Sequence, residues 1–225
     1  MKLTSQSELA KEVTATGFAF LPSHLPSQSS HEAILQLGLV EKLDGLSEIQ
    51  ELTPKEAAES PPNIYSGNFG YGEFPYHTDL AHWFTPPRLL VLRCVEGARD
   101  VKTRLIDSTF VIQSFGEDEL RRTIVLPRRP IDRSRLLLRI LERCSTGESR
   151  FRWDSLFIVP ATDLSSRTYQ AIQSSLSIVK PAEFVLEKPG DTLVVDNWRI
   201  LHARSAVPKA QRCRKIHRAY LSTLL

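Results

Sequence analysis

The chain has 225 residues, with 29 Lys and Arg against 26 Asp and Glu and a formal charge of +3. With 41% hydrophobic and 24% charged residues its composition is globular, which excludes an extended disordered chain, and so balanced a charge argues against nucleic acid or anionic lipid as a partner. Apolar stretches such as Leu89–Leu92 are too short to span a bilayer, and the first thirty residues lack the basic-then-apolar layout of a signal peptide.

Cys94, Cys144 and Cys213 are odd in number, widely spaced and without a CxxC pair, which fits buried thiols in a reducing compartment better than a disulfide framework or a zinc site. The expectation is a soluble cytoplasmic protein forming one domain over residues 1–225. Within it, a helical part, 1–62, would pack on a strand-rich core, 63–225.

In chain order, Ser5-x-x-Glu8 reads as a capping box, followed by Leu9 and Val13 at helical spacing and Gly17 as a stop. Phe18–Leu21, closed by Pro22, reads as a short strand. Ser29-x-x-Glu32 caps a second helix carrying Ile34, Leu35 and Leu39. Thr53-Pro54-Lys55-Glu56 reads as the start of a third, which Pro61-Pro62 ends. From Asn63 onward the character changes. Tyr65–Tyr71 is rich in Gly and aromatics, and Arg88–Val95 is apolar enough for a buried strand. Thr103–Ile106 is a short strand, after which Asp107 or Ser108 caps a helix. Arg133–Cys144 reads as helical, with Leu136, Leu137, Ile140 and Leu141 on one face and arginines elsewhere. Phe151–Val159 returns to strand, and Ser165–Ser177 is helical, with Tyr169, Ile172 and Leu176 aligned. The last 43 residues read as consecutive strands, with Pro189-Gly190-Asp191 as a tight turn. This pattern points to an antiparallel β-sandwich or barrel wrapped by helices, mainly β with helices.

His77-Thr78-Asp79 carries the first chemical signal. On a strand, His77 and Asp79 project to one face, where an imidazole and a carboxylate can grip one metal. By itself the triplet also suits ordinary strand residues or a His–Asp hydrogen bond. His202, in Asp196-Asn197-Trp198-Arg199-Ile200-Leu201-His202-Ala203-Arg204, is the best candidate for a third ligand. Two histidines and one carboxylate on one face leave three octahedral positions open, as in non-haem Fe(II) oxygenases. Arg214 and Arg218, four apart on a predicted strand, share a face with Ile216, while Lys215 and His217 face away. Their bland reading is a solvated basic strand end; buried, either fork would match a carboxylate.

On Tyr76-His77-Thr78-Asp79 with Pro86-Pro87, Pro189-Gly190-Asp191, Asp196-Asn197, Leu201-His202-Ala203-Arg204 and Arg214-Lys215-Ile216-His217-Arg218, the chain resembles the taurine dioxygenase-like, or clavaminate synthase-like, Fe(II)/2-oxoglutarate-dependent oxygenases. The stretch Leu9…Gly17-Phe18-Ala19-Phe20-Leu21 is similar to the way such chains begin. The resemblance implies a double-stranded β-helix, or jelly-roll, core with Fe(II) between its sheets. It implies that His77, Asp79 and His202 are the catalytic metal ligands, and that Arg218, assisted by Thr103, holds the distal carboxylate of the cosubstrate 2-oxoglutarate. Arg214 would reach an anionic substrate group or the cosubstrate, and Tyr65 and Asn68 would line the substrate pocket. The implied enzyme is a dioxygenase that hydroxylates or otherwise oxidises an unactivated C–H bond of a small metabolite, an amino acid or an anion, releasing succinate and CO2. The interval from Asp79 to His202 is short for such a chain. That implies a reduced lid, which a second copy in a homo-oligomer would complete.

Two alternatives stay open at this stage. One is a nucleic-acid or peptide demethylase with the same metal centre; the other is a non-catalytic jelly-roll binding protein. His82 reads as structural or surface, Trp83, Trp153 and Trp198 as core or pocket wall, and the arginines between Arg121 and Arg152 as the solvated side of an amphipathic helix.

Overall fold

Helix α1 (Gln6–Thr16) buries Leu9 and Val13 and ends at Gly17, whose φ of 83° suits a residue without a side chain. The computed structural model describes residues 6–62, 64–130 and 136–225, so the Ser5 cap lies outside the described residues. Next come β1 (Phe18–Leu21), α2 (Ser30–Leu35), β2 (Gly38–Val40) and β3 (Gln50–Leu52). The Ser29–Glu32 capping box is complete, but α2 stops at Leu35, and Leu39 sits exposed on β2. The helix expected from Thr53 is a single 3-10 turn, Ala57–Glu59. The N-terminal part is therefore not only helical: three of its strands join the larger sheet.

The chain continues through α3 (Tyr65–Phe69), β4 (Phe74–His77), β5 (Leu89–Glu96), β6 (Lys102–Asp107), α4 (Thr109–Phe115) and α5 (Glu117–Arg122). Then follow β7 (Ile124–Pro127), β8 (Leu138–Arg139), β9 (Leu141–Arg143), β10 (Ser149–Phe151), β11 (Ile158–Pro160) and α6 (Asp163–Leu176). The strands β12 (Ala182–Val185), β13 (Thr192–Asp196), β14 (Ile200–Arg204) and β15 (Lys215–Leu224) close it. No helix among the described residues is long and apolar enough to cross a membrane.

Two antiparallel sheets organise the site. The larger runs β1-β13-β5-β15-β2, with β3 also on β15, and the smaller runs β12-β6-β14-β4. Side-chain alternation assigns their faces. On β5, Leu89 and Val91 pack with α1 and α2 residues on one side, while Leu90, Leu92 and Cys94 pack with Leu105 of β6 and Ile200 of β14 on the other. On β15, Ala219 and Leu221 belong to the helical side, and Ile216 and Tyr220 to the layer between the sheets. Arg218 and Arg214 follow Ile216 inward, although Arg214 precedes the strand and a register shift separates Lys215 from Ile216. Lys215 and His217 face out, toward Glu51 and Ser30.

The outer face of the smaller sheet is covered by α4–α6 and β7–β11, through Ile106, Leu201, Trp153, Tyr169 and Ile172. Here the sequence reading fails most clearly. The expected helix from Arg133 to Cys144 is β8 and β9 over its described part, because Leu138, Ile140 and Leu141 are buried against neighbouring strands and helices. Nor are the arginines up to Arg152 all solvated. Arg152 is 0% exposed and donates to the carbonyls of Arg139, Ala81, Trp83 and Phe84 and to Glu142, tying down the turn after Asp79. Of the cysteines, Cys94 is buried, Cys144 half-buried and Cys213 exposed, all with free thiols.

Candidate metal centre

His77 is the last residue of β4, so strand alternation alone does not place Asp79. Asn197 does. Fully buried in the break between β13 and β14, it accepts the Asp79 N–H on Oδ1 at 2.6 Å and donates from Nδ2 to the carbonyls of Asp79 and Pro87. Leu80, with φ 55°, turns the chain away immediately afterwards. Across β4 and β14, His77 and His202 are register partners, with ring centroids 4.2 Å apart. Removing the Asn197 clamp leaves three buried backbone groups without partners. Asn197→Ala is therefore expected to cost about 3 kcal/mol of stability in urea denaturation, and to weaken metal binding by freeing Asp79.

The three side chains converge. Asp79 Oδ1 lies 3.6 Å from His77 Nε2 and 3.4 Å from His202 Nε2, and one donor atom from each residue falls within 4.8 Å of the others. His77 Nδ1 faces the Pro75 carbonyl at 2.8 Å, which can only accept, so Nδ1 carries the proton and the Nε2 lone pair is free. His202 Nδ1 is buried without a partner. Asp79 Oδ2 is occupied elsewhere, accepting from the Tyr220 hydroxyl at 2.8 Å and Arg218 Nη1 at 3.1 Å. This leaves Oδ1 and the two Nε2 atoms as a facial donor set suited to a divalent metal.

The electrostatics agree. Burial alone would raise the Asp79 carboxyl, but Arg218, His202 and His77 outweigh it and hold the group well below the usual carboxylate range. For His77, burial is outweighed by the bond to and charge of Asp79, so its value rises. Burial and the neighbouring His77 lower His202.

These residues line a cavity of about 500 Å³, within the usual range for small-molecule sites. Thr103, Arg204, Arg214, Arg218, Tyr65, His82, Asp154 and Phe157 share its wall. Arg218 is well partnered, giving Nε and Nη2 to Gln50 Oε1 of β3 and Nη1 to Asp79. Arg214 is not. It is 7% exposed, its Nε has no partner, and among the described residues no acid lies within ion-pair distance of it. Asp191 instead accepts the amides of Ser23, Glu187 and Lys188, and Asp196 pairs with Arg88. Arg204, whose Cα partner on β6 is Thr103, also has a buried Nε without a partner. Burial pushes both guanidinium groups down to about 10, and Arg214 adds to the effect on Arg204.

Of Tyr65 and Asn68, Tyr65 lines this cavity, stacked on His77 at 4.2 Å. Asn68 does not: it is exposed, and its amide donates to the carbonyls of Pro62 and Ile64, closing the turn around α3. His82, read from sequence as structural or surface, lies on the cavity wall. Gln50, Tyr220 and Asp154 carried no signal, because each reaches the site from a segment whose pairing the sequence does not reveal. Asn197 lies in the Asp196-Asn197 motif, and its position in a break between two apolar runs was the signal available.

No family model matches the sequence, and no curated protein sequence matches it. Solved structures do. An asparagine oxygenase in complex with Fe(II), 2S,3S-3-hydroxyasparagine and succinate superposes with a TM-score of 0.70 at 16% identity, over 96% of this chain and 78% of that one. PvcB from Pseudomonas aeruginosa gives 0.68 at 16% identity, over 97% and 80%. The non-haem iron oxygenase OrfP, in complex with Fe and alpha-ketoglutaric acid, gives 0.68 at 18% identity, over 99% and 81%. The chain thus has the jelly-roll fold of these oxygenases across nearly its whole length.

Proposed function

We propose that the chain is an Fe(II)- and 2-oxoglutarate-dependent oxygenase that hydroxylates an unactivated C–H bond of an amino acid or similar small metabolite. The observation that carries this reading is the convergence of His77, Asp79 and His202 on a cavity that also holds a buried, acid-free guanidinium. The fold shared with the asparagine oxygenase and OrfP supports it.

His77 Nε2, His202 Nε2 and Asp79 Oδ1 would hold the iron and leave three positions open. When bound, iron and 2-oxoglutarate supply the oxidising chemistry, consuming O2 and releasing succinate and CO2. The protein's part is binding, orientation and exclusion of water. Tyr220 and Arg218 fix the Asp79 carboxylate so that Oδ1 faces the metal position. Tyr65, Leu80 and Phe157 wall off the cavity.

The sequence resemblance made Arg218 the anchor for the distal carboxylate of 2-oxoglutarate. The hydrogen bonding favours the reverse assignment, because Arg218 is already engaged by Gln50 and Asp79, while Arg214 has no acid. Arg214, with the Thr103 hydroxyl and the neighbouring Arg204, is the better carboxylate receptor. The three free cysteines support the reducing, cytoplasmic setting in which such a metal stays Fe(II).

The test is anaerobic titration with Fe(II) and 2-oxoglutarate, following the metal-to-ligand charge-transfer band, then succinate release in air. A chelator should abolish succinate formation, and Fe(II) but not Zn(II) should restore it. With neither the band nor iron-dependent succinate, the reading fails and a non-catalytic binding protein remains. The cavity volume suits a small molecule better than a nucleic acid or peptide substrate.

A further inference from the structure

Asp154 is the acid on the cavity wall that the metal centre does not use. It follows Trp153, whose carbonyl accepts the Thr78 N–H at 2.8 Å and whose N–H donates to Thr78 Oγ1. This zip sets Asp154 opposite His77 in an isolated antiparallel bridge. The residue is 1% exposed, and its Oδ1 accepts the N–H groups of Leu156 at 2.7 Å and Phe157 at 2.9 Å.

That turn accounts for one oxygen of the carboxylate. An Asn or Ser at this position would close the same turn without a charge. Among the described residues no Lys or Arg makes an ion pair with Asp154, so the charge is surplus to the fold, and burial makes it costly. The adjoining wall has unused polar capacity as well. His82 Nδ1 is buried without a hydrogen-bond partner, and the buried Tyr65 hydroxyl is turned toward the Asp154 carboxylate. The Phe157 ring packs against both residues, its centroid 5.5 Å from Tyr65 and 5.1 Å from His82.

We propose that Asp154, flanked by Tyr65 and His82, receives a protonated nitrogen of the primary substrate, an ammonium or guanidinium group. The proposal rests on the reading above that this cavity is the substrate site, and it narrows the substrate class. The cavity holds buried guanidinium groups that welcome carboxylates and, in Asp154, a carboxylate with no Lys or Arg partner among the described residues that welcomes a cation, a distribution complementary to a zwitterion. The aromatic faces of Tyr65 and Phe157 favour a cation at the same corner.

The test is calorimetric titration of the wild-type chain and Asp154→Asn, under anaerobic conditions with Fe(II) and 2-oxoglutarate, against matched pairs. These are the protein amino acids beside their N-acetyl derivatives, arginine beside citrulline, and lysine beside norleucine. Asparagine at this position keeps the oxygen that closes the turn and removes only the charge. At least one cationic compound should bind the wild type at least about tenfold more tightly than its neutral counterpart, and Asp154→Asn should erase that preference. The wild-type comparison stands even if the variant folds poorly. A tightest binder without a cationic nitrogen, an unchanged preference in Asp154→Asn, or no binding by any cationic compound would overturn the proposal. Fe(II) and 2-oxoglutarate binding by the wild type decide the proposed function separately, so the two failures are distinguishable.

Discussion

His202→Ala should lower Fe(II) affinity by at least about a hundredfold, the upper end of what loss of a mere supporting group costs a metal site, and should abolish succinate formation. A three-ligand site has no spare donor. His202 is the cleanest of the three positions to test, because its Nδ1 makes no hydrogen bond within the protein. Its removal therefore takes away one metal donor without orphaning another polar group. Asp79→Ala is less clean: it also strips partners from Tyr220 and Arg218, so metal loss and destabilisation would arrive together. Equilibrium dialysis of Fe(II) under anaerobic conditions, with a thermal melt as control, measures the effect. Unchanged iron affinity in a folded His202→Ala protein would refute the three-residue centre.

The two arginines should respond differently to the same conservative change. Arg214→Lys keeps the charge but loses the planar fork, and is expected to raise the 2-oxoglutarate KM by about tenfold or more, roughly one bidentate, charge-assisted contact. Arg218→Lys should instead act through the metal ligand. Its guanidinium spans Gln50 and Asp79, and an ammonium cannot reproduce all three bonds. The expected result is a fall in kcat and weaker Fe(II) binding, with a smaller change in the cosubstrate KM. Steady-state kinetics at saturating Fe(II) separate these outcomes. A larger KM effect at Arg218 would restore the assignment that the sequence resemblance suggested.

The physical reason for the reversed expectation is that residues four apart can face one cavity without sharing an environment. Arg214 and Arg218 have the same pattern signal, and the decisive difference is β3, which brings Gln50 beside Arg218 and leaves Arg214 without an equivalent partner. The pairing of β3 with β15 joins residues more than 150 positions apart, and no local periodicity reports it.

By itself the sequence determined what depends on local chemistry. Short apolar runs placed β1 and β5 to within a residue, and the complete Ser29–Glu32 box placed the start of α2. His77, Asp79 and His202 stood out because two imidazoles and a carboxylate are the donor set of a three-ligand metal site. Between Arg133 and Cys144 the apolar spacing suited a helix, but burial of Leu138, Ile140 and Leu141 among β7, β10 and α5 favoured short strands. Such contacts override propensity, because packing a side chain out of water outweighs a few tenths of a kcal/mol of backbone preference. Only the tertiary structure decided the surroundings of each charge: that Asn197 clamps Asp79, that Arg150 and Arg152 are buried while Arg139 and Arg143 are exposed, and that Asp154 and Arg214 face one cavity, neither in an ion pair among the described residues. The value of a charged group depends on what desolvates and pairs it, and those neighbours come from strands far apart in the chain.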